Sequence, residues 1–190
     1  MVAQLLMSIL ANLALRSPSW SKPAFIVGLR LMRMPLTALF VDYAIDFEVA
    51  YATDDWSVVG RHFTPDATYR VSNSTFDCEL RQPENIVLGF KRSLDGFDRR
   101  LKRSLKVVDG PSENASMVTF IWAGRYDGDD CPSLELSAKQ TAHYRDGLIE
   151  LLTDEYLPGY GDTANQWIHE YNPSLDPSYC ETELANQQSA

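Results

Sequence analysis

A polar side chain in the second half of the sequence interrupts an apolar pattern that is otherwise regular. Gln140 is the one strongly polar residue on a strand face whose other members are Leu134, Leu136, Ala138, Ala142 and Tyr144. A buried amide must find a hydrogen-bond partner. Gln140 therefore either binds a ligand in a cavity or bonds to a neighbouring side chain or a buried water, and both interpretations stay open.

Aromatic and imidazole side chains are further candidates for a site. Tyr69, Trp122 and Tyr144 occur at strand spacing, so they either line a cavity or fill an ordinary core. The imidazole of His143 could transfer a proton near neutral pH. Strict alternation places His143 on the polar face of its strand, towards solvent or another subunit, and only a β-bulge would turn it inward.

No metal site is predicted from the remaining ligand-type residues. His62 and His169 are isolated, and the three cysteines have no C-x-x-C spacing. Those cysteines are Cys78, Cys131 and Cys180. Because neither a zinc site nor a disulfide framework is indicated, a reducing, cytoplasmic setting is expected.

The elements that must position these residues begin with helices. Residues 36–55 carry apolar side chains at three- and four-residue spacing, which predicts a helix, and residues 56–63 predict a second, short one. Residues 67–71 alternate as a first strand, and a polar loop or small hairpin follows. Residues 83–101 return to helical spacing, and the six basic residues of 91–103 are interpreted as a solvated face balanced by Asp95 and Asp98.

Strands dominate the rest of the chain. They are predicted over residues 102–109, 116–127, 134–145 and 148–157. Gly110-Pro111 is expected to turn the chain after the first of these, and Asp146-Gly147 to form a hairpin between the last two. A final helix is predicted over residues 163–171. This order predicts an α+β fold in which helices cover one face of a curved antiparallel sheet.

Charge is distributed unevenly, and this divides the chain. The net charge is −9, yet residues 1–35 contain no acidic residue and residues 158–190 no lysine or arginine. We expect a cationic, apolar extension (1–35), a domain (36–158) and a helix with an acidic tail (159–190). An acidic body argues against nucleic acid as a partner, because phosphate binding needs clustered Lys and Arg.

The apolar run in the extension, residues 5–15, is too short to span a bilayer. Leu5, Ile9 and Leu13 share one helical face. That face permits peripheral membrane contact, but loose packing on the domain is the simpler interpretation.

Several short motifs occur in a characteristic order. Asp55-Trp56 stands at the end of the first helix, HFTPDATY precedes the first strand, FKRSLDGFDRR lies in the third helix, and YRDGLI joins the last two strands. In order and spacing, residues 37–157 resemble the nuclear transport factor 2-like (NTF2-like) superfamily, and particularly its polyketide-cyclase-like, or SnoaL-like, branch. The resemblance implies a cone-shaped sheet that wraps around the N-terminal helices and encloses one apolar cavity.

The resemblance also implies a range of functions. The superfamily includes isomerases, dehydratases, epoxide hydrolases and cyclases as well as members without catalysis, so fold alone does not decide function. It implies a small apolar ligand in the cone, and a cofactor-independent cyclase, isomerase or dehydratase that acts on an apolar carbonyl compound by general acid/base catalysis. No metal or organic cofactor is implied. The alternative is a non-catalytic ligand-binding or dimerisation module.

Transferring the family's residues to this sequence narrows the choice. Phe47 stands where steroid isomerases carry a tyrosine, and Val71 and Gln140 stand where they carry aspartates, so steroid isomerisation is disfavoured. The SnoaL-like branch places an acid/base aspartate late in the last strand, which implies Asp154. His143 is the second catalytic candidate. The implied substrate-binding residues are Phe47, Tyr69, Trp122, Gln140, Tyr144 and Tyr156.

The direction in which Asp154 points depends on the last hairpin. A strict two-residue turn at Asp146-Gly147, continued without interruption, pairs Gln140 with Thr153 and sends Asp154 outward beside Lys139. A bulge shifts the strand by one residue, and Asp154 then joins Tyr156 in facing the cavity. Both arrangements stay open at the level of sequence.

The opposite face of the sheet is predicted to be an interface. It carries Thr119, Ile121 and Ala123 among few charges, which is unusually apolar for an exposed strand surface. Members of the superfamily commonly pair through this face, so a homodimer is expected.

Overall fold

A long helix and a short one open the part of the chain that the computed structural model describes, residues 34–74 and 77–171. Helix α1 (Leu36–Thr53) ends where Asp54 adopts a left-handed conformation with φ 63°. Helix α2 (Ser57–Gly60) follows at once, and the Asp55 carboxylate accepts a hydrogen bond from the amide of its first residue, Ser57, at 3.1 Å. The apolar run 5–15 and the acidic tail beyond Tyr171 lie outside the described residues.

Two later helices flank the sheet. Helix α3 (Pro83–Gly96) begins with proline at its first turn and buries Ile86, Phe90 and Leu94. A 3-10 turn, Asp98–Arg100, follows it. Helix α4 (Tyr160–Tyr171) packs against the sheet through Trp167, whose indole N–H donates to the Pro132 carbonyl oxygen at 2.7 Å. None of the helices in residues 34–74 and 77–171 is both long and apolar enough to cross a bilayer.

Six strands form one open sheet. They are β1 (Phe63–Ser72), β2 (Cys78–Arg81), β3 (Lys102–Asn114), β4 (Met117–Asp127), β5 (Leu134–Arg145) and β6 (Leu148–Tyr156). Their order is β2-β1-β6-β5-β4-β3. The predicted α+β fold is confirmed, and the polar passage after β1 proves to be a small hairpin with β2.

The sheet is mixed, because β1 and β6 run parallel, and the prediction of a wholly antiparallel sheet is wrong for this pair. One edge of β6 is occupied by its hairpin partner β5. The other edge receives β1, which leaves the α2 corner in the same direction as β6. The first contact of this pairing is the Ile149 amide, which donates to the His62 carbonyl oxygen at 2.8 Å.

The turn predicted at Gly110-Pro111 is also wrong. Strand β3 continues through these residues to Asn114, and its register against β4 shifts between Val107 and Asp109 and again between Asp109 and Ser112. Gly110 has φ +88°, and a Cβ there would lie 2.8 Å from the Cβ of Phe120, so only glycine fits this close approach. The glycine forms a bulge inside a strand, and the chain turns after Asn114 instead.

Candidate functional site

A cavity of about 180 Å³ lies between α1, α3 and the face of the sheet that these helices cover. Half of the residues that line it are aromatic. They are Phe40, Tyr43, Phe47, Tyr69, Phe90, Phe97, Phe120, Trp122, Tyr126 and Tyr156. These rings pack edge to face or tilted, as in the Phe40–Phe120 pair with centroids 5.0 Å apart. The wall is therefore rigid and largely apolar, and a polar group within it is conspicuous.

A bulge in β6 decides which side chains of that strand reach the cavity. The Asp146-Gly147 turn is tight, because Arg145 pairs with Leu148 and Tyr144 with Ile149. The next pair is His143 with Leu151, so Glu150 is the extra residue. From this point the register is moved by one, and Gln140 lies opposite Asp154 rather than Thr153. The strict turn and the bulge thus occur together, and Asp154 faces the cavity.

Three neutral donors hold the Asp154 carboxylate. Tyr69 Oη donates to Oδ2 at 3.0 Å, Trp122 Nε1 donates to Oδ1 at 3.1 Å, and Gln140 Nε2 lies 2.9 Å from both oxygens. We call these four residues the Asp154 end of the cavity. Asp154 is only 7% exposed, and no cationic side chain within the described residues pairs with it.

Burial raises the pKa of Asp154 above its ordinary value. The hydrogen bonds from Gln140, Trp122 and Tyr69 act in the opposite direction and offset only part of this effect. The same arrangement explains Gln140, whose amide has the partner that burial demands. The structure shows the bond to a neighbouring side chain, and ligand binding by Gln140, which also lines the cavity, stays a prediction.

A second polar group lies in the wall of the same cavity. Arg103 Nη2 donates to Glu48 Oε1 at 2.9 Å and to Oε2 at 3.0 Å. Arg103 Nη1 lies 3.6 Å from Asp98 Oδ1, which also accepts a hydrogen bond from Tyr126 Oη at 3.3 Å. Glu48, Asp98, Arg103 and Tyr126 are all buried. We call these four residues the Arg103 cluster.

The Arg103 cluster corrects one interpretation of the sequence. Asp98 and Arg103 belong to the basic run 91–103, but they are buried in the cavity wall and do not form part of a solvated face. Alternation offered a signal for Arg103, since it lies on the same strand face as Leu101 and Val107. Glu48 likewise continues the helical row of Phe40 and Ala44. These patterns indicate an inward position for each residue, but they do not identify its partner, which lies on another element.

Most of the predicted site residues, including Phe47 and Tyr156, line this cavity. His143 and Tyr144 do not. His143 precedes the bulge, pairs with Met117 on β4, and lies on the face away from the cavity. Tyr144 is buried at the hairpin end of β5, where it lines a separate pocket together with His62. The bulge lies in β6 and therefore reorients Asp154 but neither of these β5 residues.

Known proteins resemble this chain in structure rather than in sequence. No protein-family model matches the chain. No curated protein matches its sequence either.

Several solved structures match, each at low identity. An NTF2-like protein of unknown function from Burkholderia pseudomallei is 14% identical, with a TM-score of 0.51 over 70% of this chain and 95% of that one. An LEH-like epoxide hydrolase of Mycobacterium tuberculosis is 13% identical, with a TM-score of 0.50 over 70% and 93%. TerC, crystallised with polyporic acid, is 11% identical, with a TM-score of 0.50 over 70% and 99%. The protein therefore has the NTF2-like fold, as its motifs predict.

Proposed function

We propose that this protein binds a small carbonyl compound in the cavity and that the Asp154 carboxylate moves a proton next to the carbonyl group. The observation that carries the proposal is a buried carboxylate in an apolar cavity, held by neutral donors and paired with no cation from residues 34–74 and 77–171. The SnoaL-like branch carries its acid/base aspartate at a corresponding place in the last strand, which supports the same residue.

The donors around Asp154 favour a carboxylate that is ionised and still able to react. The indole N–H of Trp122 and the amide N–H of Gln140 can only donate, so they suit an acceptor. A carboxylate offers about four acceptor positions, and these three side chains leave some of that capacity free. Because burial raises its proton affinity, Asp154 suits removal of a weakly acidic hydrogen better than an exposed aspartate would.

The size of the cavity limits the ligand. Its volume is about 180 Å³, and an engineered apolar cavity of roughly 150 Å³ binds benzene. One six-membered ring with a polar substituent therefore fits, whereas a fused polycyclic compound does not. We infer that the substrate is a monocyclic carbonyl compound, and that proton transfer starts an isomerisation, cyclisation or dehydration.

Hydrogen exchange tests this function without knowledge of the natural substrate. The protein is incubated in D₂O with cyclohexanone or 2-cyclohexenone, and loss of the α-hydrogen signals is followed by proton NMR. We expect exchange above the buffer rate for the wild type and a loss of about 10²–10⁴-fold in Asp154→Asn, the usual contribution of a general base. Glu155→Gln is the matched control, because Glu155 is the next residue and pairs with Lys139 at 2.7 Å away from the cavity.

The non-catalytic alternative gives a different result in the same experiment. The satisfied hydrogen bonds of Asp154 are compatible with a ligand-binding module. Such a module would show ligand contacts by NMR and no exchange above buffer. Exchange that persists in Asp154→Asn would remove Asp154 from the mechanism.

A further inference from the structure

The proposed function leaves the Arg103 cluster unused, although its four members line the same cavity as Asp154. Burying charged groups is costly, and replacing such groups with apolar residues often leaves stability unchanged or improves it. Structural need is therefore a weak explanation for two carboxylates and an arginine in an aromatic wall. Groups of this kind inside a cleft are candidates for function.

The contacts within the cluster are unequal. Arg103 Nη2 lies 2.9 and 3.0 Å from the two oxygens of Glu48, but Nη1 is 3.6 Å from Asp98. Glu48 thus takes the close contacts, and one arginine serves two carboxylates. Asp98 receives the long contact to Arg103 and a 3.3 Å hydrogen bond from Tyr126. Of the two carboxyl groups, Asp98 is the one whose environment better accommodates a proton.

We propose that Asp98 is the general acid that works with Asp154, and that the reaction is the elimination of water from a monocyclic β-hydroxy carbonyl compound. This inference rests on the proposed function, since it needs Asp154 as the base. Two separate proton-transfer groups in one cavity fit an elimination, in which one group takes a proton and another gives one. A simple shift of a proton along the substrate needs only one such group.

The proposed step balances as follows. The Asp154 carboxylate removes the hydrogen on the carbon next to the carbonyl, and the electrons of that C–H bond form the new C=C bond. The C–O bond at the β-carbon breaks, and the proton of Asp98 passes to the departing hydroxyl, which leaves as water. Asp154 is then protonated and Asp98 ionised, and exchange with solvent restores both. No oxidant, reductant or further reactant is required.

The titratable groups around Asp98 come from several elements. They are Glu48 and Tyr51 on α1, Arg103 on β3, Tyr126 on β4 and Tyr156 on β6. Burial raises the pKa of Asp98 to about 6, although Arg103 and the Tyr126 hydrogen bond lower it and Glu48 raises it further. A useful fraction of Asp98 is therefore protonated near neutral pH. Elimination should decline above about pH 6, whereas exchange catalysed by Asp154 should not decline there.

One NMR experiment on the full chain separates the two carboxyl groups. With 3-hydroxycyclohexanone in D₂O, α-hydrogen exchange and the formation of 2-cyclohexenone are measured together. Asp98→Asn should keep exchange and lose elimination by about 100-fold or more, whereas Asp154→Asn should lose both. Asp95→Asn is the matched control, because Asp95 is exposed three residues earlier and contacts Lys91 and Arg99 instead. It should keep both activities.

A second measurement covers the case in which Asp98→Asn does not fold. In Tyr126→Phe, Asp98 stays but loses a hydrogen bond that lowers its pKa, so the decline of elimination should move to higher pH. If the cluster had a purely structural role, Tyr126→Phe would not change the pH at which elimination declines. Exchange without elimination in the wild type, or elimination that rises with pH in parallel with exchange, would overturn this inference alone. Absence of exchange would overturn the proposed function as well.

Discussion

The two polar ends of the cavity keep carboxyl groups in apolar surroundings by different means. At the Asp154 end, three neutral side chains donate hydrogen bonds, and no cation in the part of the chain that the structure describes is paired with the carboxylate. In the Arg103 cluster, a guanidinium contacts one carboxylate closely and a second at longer range. Neutral donors offset part of the effect of burial on the pKa of Asp154, whereas the Arg103 cation offsets part of it at Asp98, whose pKa burial still holds at about 6. The carboxylates of the Arg103 cluster therefore depend on one shared cation, while Asp154 depends on neutral hydrogen-bond donors.

The largest effect is expected from removing the cation. Arg103→Met leaves Glu48 and Asp98 buried without compensation, which should lower the free energy of unfolding by about 3–5 kcal/mol. Urea denaturation measures the change. Arg125→Ala is the control, because Arg125 is 54% exposed and contacts Asp127 and Glu135 at the surface; it should cost less than about 1 kcal/mol. Equal losses in the two variants would show that the cluster is not a coupled buried unit.

The next largest effect is expected in how the stability of the protein changes with pH, because Asp98 titrates differently in the folded and unfolded states. The pKa of Asp98 is about 6 in the folded protein and roughly 3.9 when unfolded. The folded state binds the proton of Asp98 more tightly than the unfolded state does. Protonated Asp98 therefore stabilises the fold, and this contribution is complete below pH 4 and is lost as pH rises through 6. The stability of wild type relative to Asp98→Asn should therefore fall by about 2 kcal/mol between pH 4 and 7. Parallel stability curves for the two proteins would contradict the assignment.

A smaller change is expected at the other end. Asp154→Asn removes a buried charge that no cation among the described residues compensates, but the new amide cannot accept all the hydrogen bonds from Tyr69, Trp122 and Gln140. These effects oppose each other, so the free energy of unfolding at pH 8 should change by less than about 1 kcal/mol. A loss as large as that in Arg103→Met would mean that the two ends are stabilised alike.

Substitutions on the outer face of the sheet should change the oligomeric state without changing the activity of the cavity. The hydroxyls of Thr119 and Thr141 form a hydrogen bond there, with their Oγ1 atoms 3.2 Å apart, and Ile121 lies on the same face of β4. We expect a homodimer through this face, and Ile121→Glu should convert it to a monomer in sedimentation equilibrium while α-hydrogen exchange is retained. A wild type that is already monomeric at micromolar concentrations would exclude the dimer.

The smallest effect is expected from the extension. Deletion of residues 1–32 should change the free energy of unfolding by less than about 0.5 kcal/mol, because the predicted domain begins at residue 36. The shortened protein should keep both α-hydrogen exchange and elimination. An aggregated product without a cooperative transition would show that the extension belongs to the core.

Patterns local in sequence predicted much of this molecule. Alternation located β5, including the inward position of Gln140, and the Asp146-Gly147 pair located the last hairpin. Motif order led to the fold and to Asp154 as a candidate. Local patterns are informative here because strand period and turn chemistry are fixed by neighbouring residues.

Features that depend on distant contacts were not predicted. Gly110 resembles a turn residue, yet its positive φ serves a close approach to Phe120. Arg103 resembles a surface charge until Glu48, 55 residues earlier, is placed beside it. The bulge at Glu150 has no signature of its own, because a glutamate is compatible with either register. In each case the deciding partner lies on another element.

That bulge makes the position of the cavity acid tolerant of a change in gene length. Loss of the Glu150 codon would remove the extra residue and leave Leu151 opposite His143 and Asp154 opposite Gln140, so Asp154 would still face the cavity. Descendants of one ancestral gene could therefore differ by three nucleotides at this point and keep the same acidic cavity. An alignment of such relatives needs a one-residue gap before Leu151 to bring their aspartates together.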